Sequence, residues 1–128
     1  EIIITADTLV WFDNKCLGKP KDKDDARYML KLFSGKSHDV ITSVGFLTVS
    51  NFKILTESTT VKYKNLTDSE IDYYVENVNP VDKAGSYGIQ DWIGMIGVEH
   101  VNGSYTSVLG LPVPQTTNEI INIINENL

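Results

Sequence analysis

The sequence predicts one α/β domain spanning residues 1–128, and three observations favour that class. A chain of 128 residues with 41% hydrophobic content suits a single globular unit of ordinary size. Residues 2–12 and 38–63 are rich in β-branched and aromatic side chains, which is typical of strands. Three other stretches carry apolar residues at helical spacing, which predicts amphipathic helices beside a sheet.

The first element is predicted to be one or two strands over residues 2–12. The run Ile2-Ile3-Ile4 is typical of a buried strand, so we expect Asp7 near that strand's end, where open α/β sheets commonly bind ligands. The turn formers at residues 13–15 then predict a hairpin.

The helices are predicted from their spacing and their end signals. After Pro20 and a charged stretch, apolar residues recur at helical spacing up to Phe33, and Ser34-Gly35 is a stop signal. Thr67 and Glu70 have the spacing of a capping box, and Asn79-Pro80 ends that helix. A last helix is expected from about Asn118.

The remaining elements are predicted to be extended. Residues 38–63 are expected to form two long strands joined by a turn at 51–53, with His38 in a structural role at a strand start. Residues 95–101 can form a further strand, followed by a turn at 102–103. We expect residues 109–114 to be extended, because Pro112 and Pro114 disfavour helix.

Composition excludes several function classes. The net charge of −6 and the absence of a Lys/Arg-rich patch argue against nucleic-acid polymers and favour a free nucleotide. Cys16 is the single cysteine, and no apolar run reaches the length of a signal or membrane segment, so we expect a cytoplasmic protein with no membrane partner. Cys16, His38 and His100 lack zinc-ligand spacing.

The segment at residues 82–90 carries the strongest functional signal. Gly85 and Gly88 permit positive φ or close approach to a ligand, Lys83 suits a phosphate, and Gln90 can donate to and accept from a base edge. A solvated, glycine-rich surface turn is the alternative. Tyr87 and Trp92 flank Gln90, and they either stack on a base or close the loop, with loop packing favoured slightly.

A second cluster lies upstream. Asp7 follows an aliphatic run, where a carboxylate is a plausible metal ligand or base. Lys19 precedes Pro20, which restricts its backbone to extended geometry. The alternative is a capping aspartate and a solvated lysine.

Six motifs, in the same order, resemble those of the Maf family of nucleoside triphosphate pyrophosphatases, also called septum formation inhibitors. They cover essentially the whole chain and are ADTLV at 6–10, LGKP at 17–20, DARYML at 25–30, LFSGKSHDVIT at 32–42, DKAGSYGIQ at 82–90 and GSYTSVLGLP at 103–112. The resemblance implies a mixed twisted sheet with flanking helices, of the type shared with inosine-triphosphate pyrophosphatases.

The resemblance also implies the chemistry. Family members hydrolyse nucleoside triphosphates to monophosphate and pyrophosphate with a divalent metal, and the proton acceptor corresponds to Asp7. Thr8 and Gln90 match the branch that acts on dTTP, UTP and modified pyrimidine nucleotides. The family's Ser-x-Ser-Pro-Arg-Arg segment is not found, and Arg27 is the only arginine, so we expect an N-terminally incomplete domain.

An aspartate is a weak base at neutral pH, since its ordinary pKa is about 3.9. We therefore expect Mg²⁺ or Mn²⁺ to acidify the attacking water, with Asp7 positioning that water or binding the metal. Lys19 and Lys83 are expected to neutralise phosphate charge. A homodimer is the default assembly.

Two alternatives to a dTTP/UTP pyrophosphatase stay open. One is a non-catalytic nucleotide-binding regulatory module linked to cell division. The other is a pyrophosphatase of the 7-methyl-GTP or inosine-triphosphate type.

Overall fold

A computed structural model describes residues 1–128 as five strands and five helices. The strands are β1 (Ile3–Phe12), β2 (Lys15–Leu17), β3 (Ser37–Leu47), β4 (Phe52–Tyr63) and β5 (Val98–Asn102). The helices are α1 (Lys23–Phe33), α2 (Asp68–Val78), α3 (Trp92–Gly97), α4 (Tyr105–Val108) and α5 (Val113–Glu126). Two 3₁₀ turns, Pro80–Asp82 and Ala84–Ser86, connect α2 to α3.

The strands form one sheet in the order β2-β1-β3-β4-β5. The α/β class is confirmed, but every strand pair is antiparallel, where a mixed sheet was expected. Tight turns join β1 to β2 and β3 to β4, and strands joined in this way pair in opposite directions. The β1–β3 and β4–β5 pairs are also antiparallel, although helices lie between their strands in the chain. The predicted hairpin between β1 and β2 forms, and its turn residues Asp13 and Asn14 have φ of 50° and 60°, as a two-residue hairpin turn favours.

One face of the sheet is covered by helices and holds the main core. In β1 and β3, Val10 pairs with Val40 on this covered face, and both are buried. Helices α1 and α2 contribute most of the helical side chains of the core, namely Ala26, Met29, Leu30, Phe33, Ile71, Tyr74 and Val75.

The opposite face of the sheet is open. It exposes six large apolar side chains, namely Ile3, Leu9, Trp11, Leu47, Phe52 and Ile54.

The predicted starts of α1 and α2 are confirmed at the level of hydrogen bonds. Asp22 caps α1 by accepting from the Asp25 N–H at 2.8 Å. In α2, Thr67 and Glu70 form both bonds of the predicted capping box. These bonds satisfy N–H groups that have no partner inside the helix.

Several predicted boundaries were wrong. The β3–β4 turn occupies residues 48–51, so it begins three residues before the predicted turn and leaves residues 52 and 53 in β4. Residues 95–97 end α3 and do not begin a strand, because Met95 donates its N–H to the Asp91 carbonyl at 3.1 Å. Helix α5 starts at Val113 and includes Pro114, since the first turn of a helix tolerates proline.

None of the five helices has the length and apolar character that crossing a membrane requires.

Candidate active site

The segment at residues 83–91, here called the Lys83 loop, has an unusual backbone. Gly85 and Ser86 both have left-handed φ, of 70° and 69°. The turn is closed by the Ser86 N–H, which donates to the Lys83 carbonyl at 3.0 Å. A Cβ on Gly85 would lie 2.9 Å from Cγ2 of Val10, so the loop packs directly against β1. The predicted need for glycine at this position is confirmed.

Two tyrosine hydroxyls anchor the loop. The Tyr87 hydroxyl lies 2.6 Å from Nε2 of His38, and the Tyr74 hydroxyl donates to Oδ2 of Asp91 at 2.7 Å. Burial raises the pKa of Tyr87. Burial, together with the bond to Asp91, also raises the pKa of Tyr74. Both hydroxyls therefore stay protonated and hold the two ends of the Gly88 segment.

His38 has the structural role that the sequence predicted. It lies in β3, is buried, and stacks on Phe33 with ring centroids 4.2 Å apart. Burial lowers the pKa of His38 to about 4, so the imidazole is neutral at physiological pH. His38 therefore supports Tyr87 through the contact between Nε2 and the Tyr87 hydroxyl.

The structure joins the segments that carry the two predicted lysines. The Gly85 N–H donates to the Gly18 carbonyl at 3.1 Å, which ties the Lys19 segment to the Lys83 loop. Lys19 is exposed, and Lys83 Nζ lies 4.0 Å from Oδ2 of Asp91. The segments that carry the two lysines thus adjoin at this backbone contact.

Asp7 lies apart from the lysines. The expectation that it ends a strand was wrong, because β1 continues to Phe12. Asp7 is exposed and its Oδ1 accepts from the Thr8 N–H at 2.9 Å. It is three residues from Val10, a distance of about 10 Å along a strand, and its side chain points to the opposite face. The structure brings Asp7 into no contact with Lys19 or Lys83.

Thr8, in contrast, adjoins the Lys83 loop. It faces the covered side of the sheet and lines a cavity of about 30 Å³ together with Ala84, Ile89 and Val108. Gln90, the other predicted specificity residue, follows Ile89 and is exposed.

The aromatic residues beside Gln90 pack within the fold, as favoured from the sequence. Tyr87 is buried, and Trp92 makes an edge contact with Tyr73 at a centroid distance of 4.9 Å.

The acidic residues do not form a ready-made metal centre, since no group of three His, Cys, Asp or Glu side chains lies close enough to hold an ion. Mg²⁺ is commonly bound by one or two carboxylates together with substrate phosphates and waters. The exposed Asp7 carboxylate, with hydrogen bonding on one oxygen only, fits an ion that arrives with a triphosphate.

Several residues that shape the site were not predicted. Asp91 and Thr42 were assigned no role from the sequence, because their roles depend on pairings with Tyr74 and Thr8 across the fold. Tyr74 lies on the buried face of α2, and its hydroxyl reaches Asp91 in the Lys83 loop.

Comparison with known proteins identifies the family. The profile described as Maf-like protein matches residues 1–123. The chain belongs to the Maf family. Its resemblance to Maf proteins in the ADTLV and DKAGSYGIQ motifs is thereby confirmed.

Curated Maf relatives carry the name dTTP/UTP pyrophosphatase. The relative from Flavobacterium psychrophilum is 50% identical over 122 residues, which are 95% of this chain and 63% of the relative. That from Phocaeicola vulgatus is 52% identical over 120 residues, 94% of this chain and 62% of the relative. That from Christiangramia forsetii is 48% identical over all 128 residues, 63% of the relative. The chain spans less than two thirds of the length of these relatives.

Proposed function

We propose that this Maf protein hydrolyses dTTP and UTP, and modified pyrimidine nucleotides, to the monophosphate and pyrophosphate. The relatives named dTTP/UTP pyrophosphatase support this substrate class. The observation that carries the proposal is the Gly18–Gly85 hydrogen bond of 3.1 Å, because it holds Lys19 and Lys83 on adjoining segments beside Thr8.

In this proposal the lysines bind the triphosphate. Lys19 is free of ion pairs, and Lys83 is only loosely paired with Asp91 at 4.0 Å, so both ammonium groups are available to phosphate oxygens. Cleavage between the α and β phosphates develops negative charge on those oxygens, which nearby cations stabilise.

Asp7 is proposed to act on the attacking water. Its carboxylate is exposed and one of its oxygens has no partner, so it can accept a proton from a water or orient it. A bound Mg²⁺ or Mn²⁺, held by Asp7 and the substrate phosphates, would supply Lewis acidity at this point. Since Asp7 is about 10 Å along β1 from Val10, the substrate has to extend across the edge of the sheet to meet both Asp7 and the lysines.

Specificity is assigned to Thr8 and Gln90. Thr8 lines the small cavity beside the loop, and the exposed Gln90 amide can both donate to and accept from a base edge. A site that hydrogen-bonds a base discriminates against analogues that leave its polar groups unpaired. We further propose a cytoplasmic homodimer, on the basis of the single cysteine and of the common symmetry of small enzymes.

A regulatory nucleotide-binding module linked to septum formation is the second candidate. Arg27, the only arginine, is held between α1 and α2 by Asp24, Asp72 and Glu76. Arg27 is therefore committed to these ion pairs, and Lys19 and Lys83 are the cations proposed to bind the triphosphate.

Incubation of the full-length protein with Mg²⁺ and each of four substrates separates these functions. Pyrophosphate release is measured with dTTP, UTP, 7-methyl-GTP and inosine triphosphate, and nucleotide binding is measured by calorimetry. Faster release from dTTP and UTP supports the proposal. Binding without release from any substrate supports the regulatory module, and a preference for either purine nucleotide would refute the pyrimidine assignment.

A further inference from the structure

A chain of buried hydroxyl groups lies directly behind Thr8. The Thr8 hydroxyl is 2.9 Å from the Thr42 hydroxyl across the β1–β3 pair, and the Thr42 hydroxyl donates to the Ser107 carbonyl in α4 at 2.7 Å. Thr42 and Ser107 are fully buried, whereas Thr8 is half-buried. The chain therefore runs from the core to the cavity beside the Lys83 loop.

The direction of the protons in this chain is determined by its inner end. A carbonyl oxygen can only accept, so the single proton of Thr42 is committed to Ser107. The bond between the two threonines must then be donated by Thr8. The Thr8 hydroxyl has no second proton, so it can only accept a hydrogen bond from a group in the cavity beside the Lys83 loop.

The size of the cavity limits what can reach these lone pairs. Its volume of about 30 Å³ admits one or two atoms, not a whole ring. Its other walls are apolar side chains, including Val10, Val40 and Val108. A hydrogen bond to Thr8 is thus made by the edge of a ligand, and apolar side chains flank it.

We propose that Thr42 is a positioning residue that fixes Thr8 as a hydrogen-bond acceptor for the imide N3–H of uracil and thymine. This inference rests on the proposed function. Uracil and thymine carry a proton on N3, whereas cytosine presents a lone pair there and is repelled by an acceptor. The donor groups of Gln90 are left for a neighbouring carbonyl of the base. The site then selects UTP and dTTP over CTP through a residue that does not touch the nucleotide.

The test compares the kcat/KM of the full-length protein for UTP and CTP in variants of Thr42. Thr42→Val removes the hydroxyl that accepts from Thr8, so Thr8 can turn and donate to N3 of CTP. We expect the UTP/CTP ratio to fall about tenfold, the size of one hydrogen bond. Thr42→Ser keeps the hydroxyl and should keep the ratio. The Ser107 carbonyl is not orphaned in Thr42→Val, because the Gly110 N–H also donates to it at 3.0 Å.

Thr59→Val is the matched control. Thr59 is equally buried and its hydroxyl contacts the hydroxyl of Ser107 at 3.1 Å, but it makes no bond to Thr8 or Thr42. It should lose stability without a change in the UTP/CTP ratio. An equal fall in Thr59→Val would mean that loosening of α4, and not proton direction, alters selectivity.

A measurement on the unmodified protein does not depend on whether the variants fold. N3-methyl-UTP lacks the donor and 5-methyl-UTP keeps it, with the same added volume. We expect N3-methyl-UTP to lose at least about tenfold in kcat/KM relative to 5-methyl-UTP. Equal turnover of the two analogues, or an unchanged ratio in Thr42→Val, would overturn the inference while UTP hydrolysis itself persists. Absence of UTP hydrolysis would overturn the proposed function as well.

Discussion

Replacing Gly85 by alanine tests whether the Lys83 loop is held against β1 in the way the structure requires. The new Cβ would lie 2.9 Å from Cγ2 and 3.1 Å from Cγ1 of Val10. The alanine would also have to adopt the φ of 70° found at Gly85, which an L-residue tolerates poorly. The left-handed conformation costs about 1–2 kcal/mol, and overpacking against Val10 costs about 1–3 kcal/mol.

The sum is a loss of roughly 2–5 kcal/mol in unfolding free energy. For a domain of this size, about 4 °C per kcal/mol gives a fall in Tm of roughly 8–20 °C. Thermal unfolding followed by circular dichroism measures this directly. Gly18→Ala is the matched control, since a Cβ there meets nothing within 4 Å, and its Tm should change by less than about 2 °C.

A second-site change sharpens the test. Val10→Ala removes the two methyl groups that the new Cβ meets, so the double variant should be less unstable than the sum of the single variants. Additive losses would place the strain elsewhere. A Gly85→Ala protein with an unchanged Tm would refute the described packing of the loop.

Three further outcomes follow from the site. Lys19→Ala and Lys83→Ala should each weaken dTTP binding, measured by calorimetry, with little change in Tm. The Tm should hold because Lys19 makes no ion pair and Lys83 Nζ is 4.0 Å from its partner Asp91. A large loss of Tm with unchanged affinity would contradict a role in phosphate binding. Gln90→Glu should slow pyrimidine turnover by removing the amide donor, and a variant that retains full dTTP turnover would exclude Gln90 from base recognition. Burial lowers the pKa of His38 from 6.5 to about 4. At a pH between these two values, His38 is therefore protonated in the unfolded chain and neutral in the folded chain. Stability should therefore fall by about 3 kcal/mol as pH drops from 6.5 to 4, and urea unfolding of His38→Gln should lack that dependence.

Local signals in the sequence predicted the elements well. The capping box at Thr67 and Glu70, the hairpin turn at Asp13-Asn14 and the acidic start of α1 each depend on residues close in sequence, and each is confirmed. The strand predicted over residues 95–101 was wrong for residues 95–97, which belong to α3, because the length of a short apolar run suits either a strand or a helical turn. The start of α5 was predicted too late because Pro114 was taken to disfavour helix. Proline interrupts the interior of a helix but is accepted in its first turn.

The site was predictable only in part. Lys83, Gly85 and Lys19 stood out by residue type, but their connection through the Gly18 carbonyl depends on the packing of the Lys83 loop on β1. The pairing of Thr8 with Thr42 depends on strand register across 34 residues, which the sequence alone does not specify. The placement of Asp7 on the open face follows from the same register.

Pyrophosphate release from dTTP by the full-length protein and its Asp7→Asn variant, measured side by side with Mg²⁺, tests whether Asp7 acts in the chemical step of dTTP hydrolysis. Asp7 is exposed and bonds only to the neighbouring Thr8 N–H, so the substitution should leave Tm unchanged. We expect rapid release by the unmodified protein and a fall of about two or more orders of magnitude in the variant. Retention of more than about half of the activity would contradict the assignment of Asp7 to the chemical step.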